Sequence, residues 1–159
     1  MGAVIFGVLM AITSVHGYEQ RISITQPNTN DEIELIVWPA RPDEVVRALE
    51  TANLFVKQLK EEKAYPGWDV VSAQTKKRMS KTAWRTMFMN LVKSTGKRRE
   101  SVFMKAMKTD RLPSGISGEL MMVRLITECE KKTLSETITL IHQSSYWQLV
   151  GYNYQVVKP

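Results

Sequence analysis

With one cysteine and two histidines in 159 residues, the chain lacks the side chains on which several kinds of chemistry depend. A single thiol, Cys129, cannot close an intramolecular disulfide, so a packed core must hold the fold unaided. Cys129 reads as a small buried hydrophobe, with intermolecular pairing as the alternative. Paired-histidine and multi-cysteine spacings are missing, and Asp and Glu alone argue for no metal, so neither metal nor cofactor is expected. Because His16 lies in the N-terminal segment, any Cys-His or Ser-His-acid mechanism would have to use His142. On adjacent strands Cys129 and His142 stand about eight residues apart, roughly 26 Å at ~3.3 Å per residue, which breaks a dyad. His142 is expected to pack on Trp147, and no catalytic residue is assigned from this inventory. Ser94-Thr95-Gly96-Lys97 also lacks the earlier glycine of a phosphate loop, since Leu91 stands there, and Gly96 reads as a helix stop.

Charge is absent from residues 1–17, and Ala3 to Ile12 is almost continuously apolar. The run falls short of the roughly 20 residues of a membrane span, and Val15 and Gly17 offer small residues where signal peptidase reads. The expectation is a signal peptide over 1–17, cleaved near Gly17, and an exported, periplasmic or secreted domain. Contact with the membrane would then come only through the export signal, and an uncleaved anchor is the alternative. The net charge of +6 is spread along the chain among acidic residues, apart from Lys76-Lys77-Arg78 and Lys97-Arg98-Arg99. No aromatic interleaving accompanies these clusters. They read as solvated surface, and no nucleic-acid partner is expected, although binding of an anion or an envelope surface is a further reading.

What the sequence does contain is period. Residues 18–42 suggest an arm or hairpin, with Ile22 and Ile24 before Pro27-Asn28-Thr29-Asn30 and Ile33, Leu35 and Val37 after it. A single α+β domain over 43–159 follows. Asp43 is placed to cap a helix to about Glu62, Asp69 to Lys77 suggests a short helix, and Ser80 caps one that ends at Gly96 and buries Trp84, Phe88 and Leu91. Beyond Gly96 the period becomes two, predicting strands near Arg98–Lys108, Glu119–Cys129, Thr133–Gln143 and Tyr146–Val156.

Centring one turn on Lys131-Lys132 pairs Leu125 with Ile138 and Val123 with Leu140. Centring the next on Ser144-Ser145 pairs His142 with Trp147, Leu140 with Leu149, Ile138 with Gly151 and Glu136 with Asn153. One face is then apolar except for a polar corner of Glu136, Asn153 and Thr127, satisfied by water or an arginine such as Arg99, or else serving a ligand pocket. The opposite face presents Met122, Ile141, Val150, Tyr152 and Tyr154, a partner or homodimer surface unless the 18–40 arm covers it.

Trp84, the Leu112-Pro113 to Gly118-Glu119 loop, Glu136 and the closing Trp147-x-Leu149-x-Gly151-Tyr152 resemble the bacterial exported family catalogued as domain of unknown function 4019. The resemblance spans about Val45 to Gln155 and departs from the family pattern at Ser144-Ser145 and Ser114-Gly115-Ile116. It implies a small secreted domain, N-terminal helices packed on a curved antiparallel sheet of about four strands, a cone of the cystatin or nuclear-transport-factor-2 (NTF2) type. No activity is implied by it. The functional expectation is non-enzymatic binding of a protein partner or small ligand; the alternative is an NTF2-like pocket enzyme with Glu136 as general acid or base.

Overall fold

The computed structural model describes residues 11–16, 19–25 and 32–157, with side chains from residue 36 onward. Among the described residues, three α-helices precede a long meander. The first, α1 (Pro42–Lys60), starts one residue before the expected Asp43 cap. Pro42 occupies the first turn, where its missing N–H costs nothing, and Glu44 reaches back to accept from the Arg41 N–H at 3.1 Å. Its buried stripe is Ala48, Ala52, Phe55 and Leu59.

The expected helix over 69–77 is divided. A 3₁₀ turn, Trp68–Val70, is followed by α2 (Ala73–Arg78), because Val71 bridges Leu149 in parallel and the Ser72 N–H donates to the Leu149 carbonyl at 2.8 Å. Ser72 then caps α2 and Ser80 caps α3 (Lys81–Thr95), each hydroxyl accepting a backbone N–H three residues on. Gly96, at φ +79°, ends α3 as its position predicts.

The strands are β1 (Ala11–His16), β2 (Glu19–Thr25), β3 (Glu32–Pro39), β4 (Arg98–Arg111), β5 (Ser117–Cys129), β6 (Thr133–Gln143) and β7 (Tyr146–Val156). They lie in chain order and every pairing is antiparallel. β3 to β7 form a five-stranded open sheet, one strand more than expected, because Trp38 and Pro39 pair with Lys108 and Met107. The hairpin expected between Ile22–Ile24 and Ile33–Leu35 is present as β2 and β3, with Ile22 opposite Leu35 and Ile24 opposite Ile33. Its Pro27–Asn30 turn, most of the expected signal segment and the cleavage point at Gly17 lie outside the described residues.

Two registers depart from expectation. Between β5 and β6 the turn centres on Glu130 and Lys131, so Leu125 opposes Glu136, Val123 opposes Ile138 and Met121 opposes Leu140. The turn is set by the end of α3: the Glu130 and Lys131 N–H groups donate to the Lys97 and Thr95 carbonyls at 3.0 Å, respectively. Since the shift is two residues, the faces survive. Between β6 and β7 the expected pairs hold from His142–Trp147 to Leu140–Leu149. An extra residue on β7 at Val150 then puts Thr139 opposite Gly151, Ile138 opposite Tyr152 and Glu136 opposite Tyr154. Beyond this bulge the two faces of β7 are exchanged.

The helices cover one sheet face. Phe55, Trp84, Phe88 and Leu91 pack there on Met121, Val123, Leu125, Leu134, Ile138, Leu140 and Leu149. The aromatic rings of Phe55, Phe88 and Tyr152 meet with centroids 5.2–5.5 Å apart.

Candidate functional site

At the polar corner of this core, Glu136 is fully buried. Arg98 Nη1 donates to Oε1 at 2.7 Å and Arg98 Nη2 to Oε2 at 2.5 Å, a two-pronged pair. The Tyr152 hydroxyl also donates to Oε1 and the Thr127 hydroxyl to Oε2. Ser101 Oγ is 2.8 Å from Thr127 Oγ1 and closes the group. Four donors fill the carboxylate's lone-pair sites, leaving none directed at a reacting atom. Burial alone would lower the Arg98 guanidinium pKa, but the Glu136 bonds and charge overcome it and raise it. Burial pushes the Tyr152 phenol well above its usual value, the Glu136 charge adds to this, and Arg98 opposes it.

Both flanking partners arrive through bulges. Relative to β5, β4 has extra residues at Arg99 and Met104, so Arg98 comes opposite Cys129 and turns into the helix-covered face. Arg99, the expected partner of Glu136, is exposed. On β7 the Val150 bulge brings Tyr152 inward and moves Asn153 to the other face, opposite Thr137. Of the expected corner, Glu136 and Thr127 meet, while Asn153 and Arg99 do not join them. Gly151 beside the bulge was the one local sign of a bend; nothing in the period separates Arg98 from Arg99.

The expected partner surface is also redistributed. Tyr152 and Tyr154 pack against the helix-side core, not outward. Ile141 and Val150 do face the other way, but Ile116, Leu120 and Leu112 bury them in a second apolar cluster. Met122 is buried as well. The Leu112–Ile116 turn supplies this cover, and Arg78 ties it down by donating from Nη1 to the Ser114 carbonyl at 3.1 Å; most of the side chains of the 18–40 arm, the other cover expected, lie outside the described residues.

A second charged group, not anticipated from the sequence, lies where α1 begins. Lys108 Nζ donates to Glu44 at 2.8 Å and to Glu119 at 3.4 Å, and Glu119 lies 3.0 Å from His142 Nδ1. Lys108, reinforced by Arg41, holds the Glu44 carboxyl down to about 2 against the opposing effect of burial. The His142 ring packs on Trp147 as expected, with centroids 5.1 Å apart.

A cavity of about 300 Å³ opens between the C-terminal end of α1 and α3, away from Glu136. Leu59, Pro66, Phe88, Met89 and Val92 give it apolar walls, and Lys63, Arg85 and Lys93 outnumber Glu62 among its charged lining residues. Met89 is 56% exposed there. Of the basic clusters noted in the sequence, Lys97-Arg98-Arg99 does not form a surface patch, because its central guanidinium is consumed by Glu136.

Helices on one face of an open antiparallel sheet, sealed at one corner by a buried ion pair, define this as an α+β domain. The family profile described as "Protein of unknown function (DUF4019)" matches residues 51–152, and the chain belongs to that family. No curated protein and no solved structure matches the chain.

Proposed function

We propose that the domain is a non-enzymatic binding module whose α1–α3 groove takes a small anionic amphiphile. The observation that carries this reading is the groove's composition: apolar walls that would accept an alkyl chain, and Lys63, Arg85 and Lys93 among its lining residues as partners for an acidic head. Its 300 Å³ is at the lower end of ligand pockets, which suits one chain rather than a bilayer patch. The alternative, Glu136 as a general acid or base, draws less support, since that carboxylate already has donors at both oxygens. Helices over one face of a repeatedly bulged sheet support the finer assignment to a cone of the cystatin or NTF2 type. The apolar N-terminal run supports export, which cell fractionation with N-terminal sequencing would test.

Calorimetric titration with dodecanoate, beside an uncharged and a cationic amphiphile of equal length, tests the groove. Saturable binding should favour the carboxylate, weaken with salt, and fall about tenfold or more in Lys63→Glu/Arg85→Glu. No saturable binding, equal binding of the uncharged chain, or indifference to charge reversal would overturn the proposal.

A further inference from the structure

The two long edges of the sheet are treated differently. β7 is met by the segment before α2, through the Val71 bridge, and by α2 itself, through the bond from Thr75 Oγ1 to the Val150 carbonyl. On the other side, β3 pairs with β4 only at Lys108 and Met107. Pro39 ends that pairing, and Pro42 turns the chain into α1. Among the described residues, no strand continues the sheet beside β4 from Arg98 to Ala106. This edge carries three consecutive exposed apolar residues, Val102 (51%), Phe103 (42%) and Met104 (55%).

An open edge of this kind is a template for another strand, and proteins ordinarily guard it with charge or bulges. Here the charges match a second copy of the same edge. Strands that pair antiparallel about a two-fold axis normal to the sheet must place same-face residues opposite one another. In β4, Glu100, Val102 and Lys105 share one face, because the extra residue at Met104 shifts the alternation between Phe103 and Lys105. With Val102 on the axis opposite its own copy, Phe103 falls opposite Ser101. Stepping over Met104, Lys105 falls opposite Glu100. The symmetry repeats that ion pair on the other side, so each end of the contact is closed by opposite charges and its centre is apolar. An unbulged strand would set Met104 against Glu100 instead.

We propose that β4 pairs antiparallel with β4 of a second copy, joining two sheets into one through Val102 at the axis and reciprocal Glu100–Lys105 pairs. Light scattering coupled to size exclusion, on the protein over a range of concentrations, should show a monomer–dimer equilibrium. Glu100→Lys sets lysine against lysine twice and should raise the dissociation constant about 10–100-fold. Lys105→Glu should do the same, and Glu100→Lys/Lys105→Glu should restore the dimer by exchanging the signs. Both positions lie outside the α1–α3 groove, so amphiphile binding is an independent readout, and unchanged circular dichroism excludes misfolding as the cause of dissociation. A monomer at all concentrations, or a dimer indifferent to the single reversals, or a double reversal that stays as dissociated as the singles, overturns the proposal.

Discussion

Replacing Arg98 with methionine should be among the most damaging single changes in this domain, because it strands a carboxylate with no access to water. Glu136 is 0% exposed, and Arg98 supplies two of the four donors it receives. Breaking such a pair from one side typically costs about 3–5 kcal/mol, since the remaining charge keeps its desolvation penalty without the attraction that offset it. Against a total stability of roughly 5–15 kcal/mol, the loss would lower the melting temperature by about 6–20 °C. Urea unfolding followed in parallel by tryptophan fluorescence and far-UV circular dichroism would measure it, and coincident transitions would justify the two-state treatment. The same physics requires a rescue. Removing the whole group in Arg98→Met/Glu136→Leu/Tyr152→Phe leaves Thr127 with Ser101 as partner and should return to within about 2 kcal/mol of the parent. A loss below about 1 kcal/mol in Arg98→Met, the range of an exposed pair, would refute the reasoning, because it would mean that Glu136 is solvated.

Two further outcomes follow from the geometry. Gly67 has φ +68°, and a Cβ there would stand 2.5 Å from the Phe55 ring, so Gly67→Ala should cost about 2–4 kcal/mol, measured by the same urea titration. Because the folded-state pKa of Glu44 is depressed from 4.5 to about 2, its contribution is fully present above pH 4.5 and is lost as pH falls toward 2. After solvent screening that contribution is about 1 kcal/mol, and Lys108→Met should flatten this part of the stability–pH curve; a profile unchanged by the substitution would refute the assignment.

Much of the fold was legible because periodicity and punctuation agree over long segments. The bounds of β6 follow from alternation between Lys131-Lys132 and Ser144-Ser145, and the start of β7 from the alternation that resumes after Ser145 and brings Trp147 and Leu149 to one face. Ser80 and Gly96 delimit α3 by capping chemistry that is local to the chain. The site was legible only in part. Glu136 stood out as a carboxylate on an apolar face and Thr127 fell beside it, but a bulge adds one residue without any change in composition. Each bulge reverses the face of everything beyond it, which is why Arg99 and Asn153 seemed to belong to the corner and Tyr152 did not.

The sequence by itself determined an α+β domain: the change from helical to alternating period after Gly96, the caps, the lone thiol that forbids an internal disulfide, and an apolar sheet face awaiting helices. Local rules decide such features, since propensity, capping and side-chain alternation act over a few residues. Only the tertiary structure decided what Glu136 meets, what covers Ile141 and Val150, and which edge of the sheet stays open. Those outcomes depend on where strands slip and bulge against one another, and that is settled by the packing of Phe55, Phe88 and Tyr152, by the hold of α3's C-terminal end on the Glu130–Lys131 turn, and by the place where Pro39 releases β3 from β4.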